Sequence, residues 1–371
     1  MVDLKTQYDR IKGEVDAAIA EVLESTQFIK GPGVKKFEDS LAAYMGVKDV
    51  ISCANGTDAL QIAMMALGYQ PGDEIITASF TYVATAEVIA LLKLKPVLVE
   101  VNPDTFTIDP AAIEAAITPK TRGIVPVHMF GQAADMEAIL KIAEKHKLHL
   151  IEDNAQAIGS EITLSNGHKV KSGTLGTVGT TSFFPSKNLG CYGDGGAMFT
   201  NDTALAKQIR IVANHGQTQQ YVHDEIGVNS RLDTLQAAIL NVKLKYLDDY
   251  AARRRGVADF YDNAFKGLAN VQTPARAPYS THVFHQYTLK LSGTNRDEVR
   301  NRLSEKGIPS MIYYPIPLHL QKAYKDSRYK EGAFPNTEQL CKSVLSLPIH
   351  TEFEPEELEY IAETFKQIVQ S

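Results

Sequence analysis

The chain is poor in cysteine. Cys53, Cys191 and Cys341 are scattered and odd in number among 371 residues, which fits a reduced compartment better than a disulfide framework, and no pair has metal-ligand spacing. No apolar stretch reaches the roughly 18–20 residues that a membrane helix needs. The start, Met1-Val-Asp-Leu-Lys5, does not read as a signal peptide, so a cytoplasmic protein without membrane contact is expected. Long basic runs are missing too. A formal charge of −6, from 38 Lys and Arg against 44 Asp and Glu, argues against nucleic acid or an anionic membrane as the main partner. A local basic patch could still hold a phosphorylated small molecule. Internal repeats and low-complexity segments are absent. What is present, 44% hydrophobic and 22% charged residues, is ordinary for a globular protein of enzyme size. A chain of this length can bury a large core and divide into more than one domain.

The order of elements is readable from about residue 40 to 250. Strands are expected at 50–53, 74–77, 96–101, 122–127 and 148–151. Helices are expected from the Ala54–Asp58 turn through Leu67, over 81–92 and over 136–146. Such alternation implies a mostly parallel sheet between helices. Two further short strands, 179–184 and 197–200, flank a glycine-rich turn, and apolar spacing over 232–244 predicts a helix. Beyond Tyr250 the pattern changes: a charged helix beginning at Arg253-Arg-Arg255, a strand over 285–291, and helices over 296–306 and 355–369. The expected division is a large domain over 1–250 and a small α+β domain over 251–371, with the N-terminal segment a candidate to pack on the small domain.

Four polar motifs sit at strand ends, where ligands bind in parallel α/β sheets. Asn55-Gly-Thr-Asp58 opens a helix, and free amides there favour an anion such as phosphate; alone, it is equally a plain N-cap. Phe80-Thr-Tyr82 offers an aromatic that could stack on a flat ring or simply close the core. Glu152-Asp-Asn-Ala-Gln156 places a carboxylate where burial demands a cationic partner, and a protonated pyridine nitrogen would serve; an N-cap for a following helix is the ordinary account. The fourth is Thr180-Thr-Ser-Phe-Phe-Pro-Ser-Lys187, running into Gly190, Gly193, Gly195 and Gly196. A lysine on such a turn can form an imine with a carbonyl, Ser182 can serve a phosphate, and the glycines are expected to supply close approach and positive φ. The glycines follow the lysine and lack phosphate-loop spacing, which disfavours a nucleotide triphosphatase. Together the four supply the parts a pyridoxal phosphate site needs.

With these motifs in hand, the chain resembles the DegT/DnrJ/EryC1/StrS family of pyridoxal phosphate sugar aminotransferases. The resemblance rests on Ser52-Cys-Ala-Asn-Gly-Thr-Asp-Ala-Leu60, Glu152-Asp-Asn-Ala-Gln156, Ser182-Phe-Phe-Pro-Ser-Lys-Asn-Leu-Gly190, Gly193-Asp-Gly-Gly196, Asn214-His-Gly216 and Gly227-Val-Asn-Ser-Arg-Leu-Asp233. Thr26-Gln-Phe-Ile-Lys-Gly-Pro32 and Tyr314-Pro-Ile-Pro-Leu-His319 extend it over the whole chain. It implies the fold type I, aspartate-aminotransferase-like architecture: a seven-stranded-type, mostly parallel sheet plus a small C-terminal domain.

The resemblance also implies roles. Lys187 is the imine-forming and proton-moving lysine, Asp153 the partner of the pyridine nitrogen, and Gln156 the neighbour of the cofactor's phenolic oxygen. Tyr82 stacks on the ring, while Gly56, Thr57 and Ser182 hold the phosphate. Asn229 reaches the phosphate of a neighbouring subunit, which implies a homodimer with shared active sites. Arg231 is a candidate substrate contact from that neighbour, or an interface ion pair. Glutamate is the implied amino donor and a nucleotide-linked keto-sugar the acceptor, in surface polysaccharide biosynthesis. A dehydratase branch carries histidine where this chain has Lys187, so the lysine points to transamination. Intact Lys187, Asp153, Gln156 and Ser182 argue against a non-catalytic relic. The nearest resemblance is to enzymes that aminate C3 of UDP-2-acetamido-2-deoxy-3-oxo-glucuronate. Tyr313, Tyr314 and His319 are the candidate substrate residues of the C-terminal half. Tyr313 stands where a histidine is usual, and His319 where the glucuronate enzymes have asparagine. His319 is common in enzymes aminating dTDP-3-oxo-6-deoxyhexoses, the alternative substrate class.

Overall fold

The computed structural model describes the whole chain, Met1–Ser371. Two helices, α1 (Leu4–Ser25) and α2 (Pro32–Met45), precede the first strand. The large sheet then begins with β1 (Asp49–Cys53), α3 (Gly56–Ala66), β2 (Glu74–Ala78), α4 (Ala84–Leu91), β3 (Lys95–Val99), α5 (Pro110–Ala116), β4 (Thr121–Val125), α6 (Met136–His146) and β5 (His149–Asp153). A hairpin of β6 (Glu161–Thr163) and β7 (Lys169–Lys171) interrupts it before β8 (Val178–Ser182), β9 (Gly196–Thr200) and α7 (Thr203–Val212). The spatial order is β1-β9-β8-β5-β4-β2-β3. Only β9 runs against its neighbours, so the sheet is mostly parallel as the alternation predicts.

The strands read as continuous apolar runs because both faces are covered. Their side chains alternate between two cores. Ile76, Ile124 and Leu150 point to the face shared with α5 and α6, while Ile75, Val125 and Ile151 point to the face shared with α3, α4 and α7. Each fully buried aliphatic of this kind contributes about 1.5–3 kcal/mol.

Two helix starts differ from expectation. The helix after β2, α4, begins at Ala84 rather than Thr81: β2 ends at Ala78, Phe80 is locked in the core, and Thr81–Val83 carry the chain to the helix start. The hydroxyl and β-branched residues Thr81 and Val83 disfavour a further helical turn there. The charged helix α9 (Leu247–Ala264) begins well before Arg253, with Asp248 and Asp249 in its first turn, where they complement the helix dipole. It follows a short hairpin, β10 (Gln217–Gln219) with β11 (Val222–His223), then α8 (Thr234–Lys243) and a 3₁₀ turn over Leu244–Tyr246. Position 250 therefore lies inside a continuous helix.

Beyond α9, the strands β12 (Val271–Gln272) and β13 (Tyr287–Leu291) pair antiparallel; α10 (Arg296–Glu305) and α11 (Pro335–Ser343) follow. The strand β14 (Val344–Leu347) completes the three-stranded sheet against β13, and α12 (Pro355–Gln370) ends the chain. Tyr261, Phe265, Tyr287 and Phe365 form the centre of this second core. The N-terminus meets the 349–352 segment: Ile349 N–H donates to Met1 O, and Gln7 to Thr351 Oγ1. Arg10 forms an ion pair with Glu352.

Arg254 clips α9 to this region. It is 4% exposed, and its Nη1 donates to the carbonyls of Phe284 (3.2 Å), His285 (3.5 Å) and Ile349 (3.1 Å). A buried acceptor stripped of its donor loses more than an average hydrogen bond contributes. Arg254→Met is expected to destabilise the protein by about 2–4 kcal/mol, read as a lower midpoint in urea unfolding.

Candidate active site

A cavity of about 670 Å³ opens at the carboxyl ends of β1, β2, β4, β5 and β8. The turns after these strands deliver Asn55–Asp58, Thr81, Tyr82, Phe130, Asp153, Gln156, Ser182 and Lys187 to one space. The chain beyond α9 adds His285, Gln286, Tyr313 and Tyr314.

The anion cradle is built by close approach. Asn55 caps α3 with its side chain, accepting from Asp58 N–H at 2.8 Å, and its carbonyl takes the Ala59 N–H. The amides of Gly56 and Thr57 lie ahead of these bonds and have no partner within the helix, which is the condition for anion binding. A Cβ on Gly56 would lie 2.7 Å from Ser182 Cβ, and one on Gly196 would lie 2.4 Å from Asn55 O. Ser182 is thereby pressed against the start of the helix. The expectation of positive φ in the glycine-rich turn is corrected here. Gly190, Gly193, Gly195 and Gly196 all lie outside the left-handed region. At Gly190, as at Gly196, the requirement is space: a Cβ on Gly190 would meet Pro185 O at 2.3 Å.

Asp153 ends β5, and no helix follows it. Its Oδ1 accepts from Ala155 N–H at 3.1 Å and its Oδ2 from Thr85 Oγ1 at 2.8 Å, so the carboxylate is oriented by two donors while facing the cavity. The preceding Glu152 is fully buried on the other side of the strand. Three backbone amides, of Gly173, Leu175 and Gly176, and the Nε2–H of His128 saturate its oxygens at 2.6–2.9 Å. Because His128 Nδ1 accepts from Ala134 N–H, its tautomer is set with the proton on Nε2. Gln156 is oriented in the same manner: its Oε1 accepts from Phe130 N–H at 2.8 Å, and its Nε2 donates to Tyr314 OH at 3.3 Å. One N–H of that amide is left for an acceptor in the cavity.

Lys187 sits on a tight turn after β8 in which its own N–H donates to Phe184 O, and Cys191 N–H to Phe183 O. Phe183 anchors the turn edge-on against Phe37, with ring centroids 5.4 Å apart. Burial pushes the Lys187 amine down to about 8, with Asp153 opposing the shift. Among the side chains lining the cavity Lys187 is the one lysine or arginine, sharing the wall with Asp58, Asp153 and Asp194.

Tyr82, 55% exposed, lies at the mouth with its ring 6.1 Å from that of Tyr314. Asn229 and Arg231 do not reach this cavity. Asn229 is exposed, and Arg231 lines a separate groove with Lys30, Lys35, Lys207 and Arg210. His319 is not brought to the cavity either. Its side chain is fully buried, with Nε2 on Glu338 Oε1 at 3.0 Å and its ring edge-on to Phe334. Reading the residues singly missed Thr81, Phe130, Asp194, His285 and Gln286. His285 and Gln286 look like the start of a strand, and nothing local in sequence points them toward Lys187.

The cavity suits pyridoxal phosphate by its own chemistry. It has a cradle of free amides too tight for any Cβ and an oriented carboxylate. It also has a buried amine near neutrality, and the Thr81 hydroxyl is a buried polar atom without a partner in its wall.

Comparison with known proteins agrees. The DegT/DnrJ/EryC1/StrS aminotransferase family matches residues 9–366. The UDP-2-acetamido-2-deoxy-3-oxo-D-glucuronate aminotransferase of Pseudomonas aeruginosa is 50% identical over 350 residues, 94% of this chain and 94% of that protein. The dTDP-3-amino-3,4,6-trideoxy-alpha-D-glucose transaminase of Streptomyces venezuelae is 42% identical over 348 residues, 94% and 90% of the two chains. NtdA of Bacillus subtilis, solved with bound cofactor PMP, superposes with a TM-score of 0.87 at 32% identity, covering 97% of this chain and 82% of its own.

Gly56→Ala is expected to push α3 away from Ser182 and weaken pyridoxal phosphate binding about tenfold or more, equivalent to about 1.4 kcal/mol. Titration of the cofactor's visible absorbance against the purified protein measures this.

Proposed function

The chain belongs to the DegT/DnrJ/EryC1/StrS aminotransferase family, and from that premise we propose that it transfers the amino group of L-glutamate to the 3-keto carbon of UDP-2-acetamido-2-deoxy-3-oxo-glucuronate, in surface polysaccharide biosynthesis. It is a fold type I, pyridoxal phosphate-dependent sugar aminotransferase. The observation that carries the reading is the Lys187 amine, pushed down by burial, sharing one cavity with the oriented carboxylate of Asp153 and the Gly56–Ser182 cradle. The 50% identity to the Pseudomonas aeruginosa enzyme supports the choice of sugar.

Pyridoxal phosphate, when bound, supplies the aldehyde that carries the amino group and a ring that accepts the electrons of a breaking C–H bond. Everything else falls to the chain. The amides of Gly56 and Thr57 and the hydroxyl of Ser182 take the phosphate. Tyr82 covers the ring face, and the free N–H of Gln156 turns to the phenolic oxygen. Asp153, oriented by Thr85 and Ala155, would hold a proton on the ring nitrogen through its negative charge. With the group bound, Lys187 Nζ, whose amine burial pushes down, would be the base that takes the proton from the donor carbon and gives it back.

We place a second copy of the chain at the site. Its Asn229 completes the phosphate cradle and its Arg231 meets the substrate's negative charge, for which this chain's own cavity offers Lys187 as its one cation. Tyr221 and Ile226, 84% and 87% exposed beside the β10–β11 hairpin, suit such an interface. The three cysteines are free and buried, which accords with a cytoplasmic reaction. No helix is long and apolar enough to cross a membrane. A dTDP-3-oxo-6-deoxyhexose is the second substrate reading, favoured by the 42% identity to the Streptomyces venezuelae transaminase.

Lys187→Ala is expected to cut 2-oxoglutarate production from glutamate at least about a hundredfold; retention of that half-reaction overturns the assignment. For the acceptor, kcat/KM with the UDP-3-oxo-uronate should exceed that with the dTDP-3-oxo-6-deoxyhexose, and the reverse order sinks the uronate. The pH dependence follows from the depressed amine. In the cofactor-free chain Lys187 gains its lone pair as pH rises through about 8. Aldehyde capture by Lys187 should therefore climb through that pH and level above it, whereas an ordinary lysine near about 10.4 is still rising. Stopped-flow absorbance at a series of pH values reads the midpoint.

A further inference from the structure

We propose that Ser230 is a positioning residue of the phosphate cradle: its hydroxyl holds the Asp58 carboxylate off the free amides at the start of α3, leaving them to a phosphate. The proposal rests on the reading of that cradle as the phosphate site.

Asp58 is the carboxylate carried by the cradle's own helix. It is the third residue of α3 and lines the cavity with Gly56, Thr57 and Ser182. A carboxylate at that position has a ready partner, because it can turn back onto the N–H of the capping residue. At the start of α12 this chain does so: Glu357, also the third residue of its helix, accepts from the Glu354 N–H at 3.0 Å. At α3 only half of that arrangement forms. Asn55 Oδ1 accepts from the Asp58 N–H at 2.8 Å, yet the carboxylate does not return, and the Asn55 N–H keeps no protein acceptor. The successive amides of Asn55, Gly56 and Thr57 are thereby left for an anion.

Ser230 accounts for the missing half. Its Oγ donates to Asp58 Oδ2 at 2.6 Å and accepts from the Ala54 N–H at 3.0 Å. A backbone amide can only donate, so the hydroxyl proton must go to the carboxylate. Ser230 is itself fixed: it is 1% exposed, its N–H donates to Ala213 O at 3.1 Å, and its neighbour Asn229 bridges to Asn214. It lines the basic groove, whereas Asp58 lines the cavity, so the bond draws the carboxylate toward the groove and away from the amides. A short bond from a hydroxyl to a carboxylate is among the stronger kinds and suits holding a charge in place. Released, that charge would compete for the amides at the positive end of the helix and repel an arriving phosphate.

The phosphate's share of binding is the affinity of the cofactor-free full chain for pyridoxal phosphate divided by its affinity for pyridoxal, which lacks the phosphate. Titration of visible absorbance reads both. S230A is expected to lower that ratio about tenfold, with pyridoxal affinity kept within about twofold. D58N removes the charge and keeps an acceptor for Ser230, so its ratio should equal or exceed that of the unaltered chain. The double variant S230A/D58N should regain the D58N ratio. A merely structural part for Ser230, through the Ala54 N–H or the fold of its segment, has the opposite consequence: the double variant lacks the hydroxyl too and stays weakened. An unchanged ratio in S230A, or a double variant as weak as S230A, overturns the proposal. So does a ratio about tenfold lower in D58N, a result that needs no change at Ser230. Failure of the cradle reading shows separately, as equal affinities for the two aldehydes in the unaltered chain.

Discussion

The parallel pairing of β5 with β8 is the contact on which the rest of the site depends. Asp153 lies opposite Thr180 in that register, so the carboxylate and the chain leading to Lys187 leave the sheet side by side. The pairing survives a costly arrangement. Two adjacent carboxylates, Glu152 and Asp153, end a strand buried on both faces. Alternation along the strand sends them to opposite sides, and each finds its own donors. Glu152 is saturated by the 173–176 loop and His128, whereas Asp153 is only partly satisfied by Thr85 and Ala155. The saturated carboxylate builds the wall, and the under-satisfied one faces the chemistry.

The same economy governs the other components. Glycine at 56, 190 and 196 serves close approach, bringing β8, β9 and the start of α3 within distances that exclude a side chain. The resulting cradle is made of backbone amides and keeps its partial positive charge at any pH. The cavity then holds one lysine against three aspartates. That imbalance makes burial, rather than a neighbouring cation, the force that brings the Lys187 amine near neutrality. It also leaves an anionic substrate with no cation but Lys187 in this chain's cavity, which is why Arg231, in its separate basic groove, enters the functional reading only through a second copy.

Much of this is legible in the sequence. Apolar runs bounded by turn residues locate every strand of the large sheet to within a few positions, because strands buried on both faces need such runs. Asn55-Gly-Thr, Glu152-Asp and Ser182 to Lys187 stand out because their residue types are unusual at strand ends. The misreadings have physical causes as well. The glycine-rich turn invites positive φ, yet crowding alone accounts for its composition. His319 looks like a substrate residue, but Glu338 and Phe334, distant neighbours in a helix and its approach, claim it for packing.

Sequence by itself determined the α/β architecture and marked Lys187 and Asp153 as the lysine and carboxylate at strand ends, since each depends on local pattern and residue chemistry. Tertiary structure decided which side chains share a space. The placement of His285 in the cavity of Lys187, the saturation of Glu152, and the withdrawal of His319 all depend on contacts between segments far apart in the chain. Burial and hydrogen-bond competition between segments of the folded chain settle such contacts, and no local pattern encodes them.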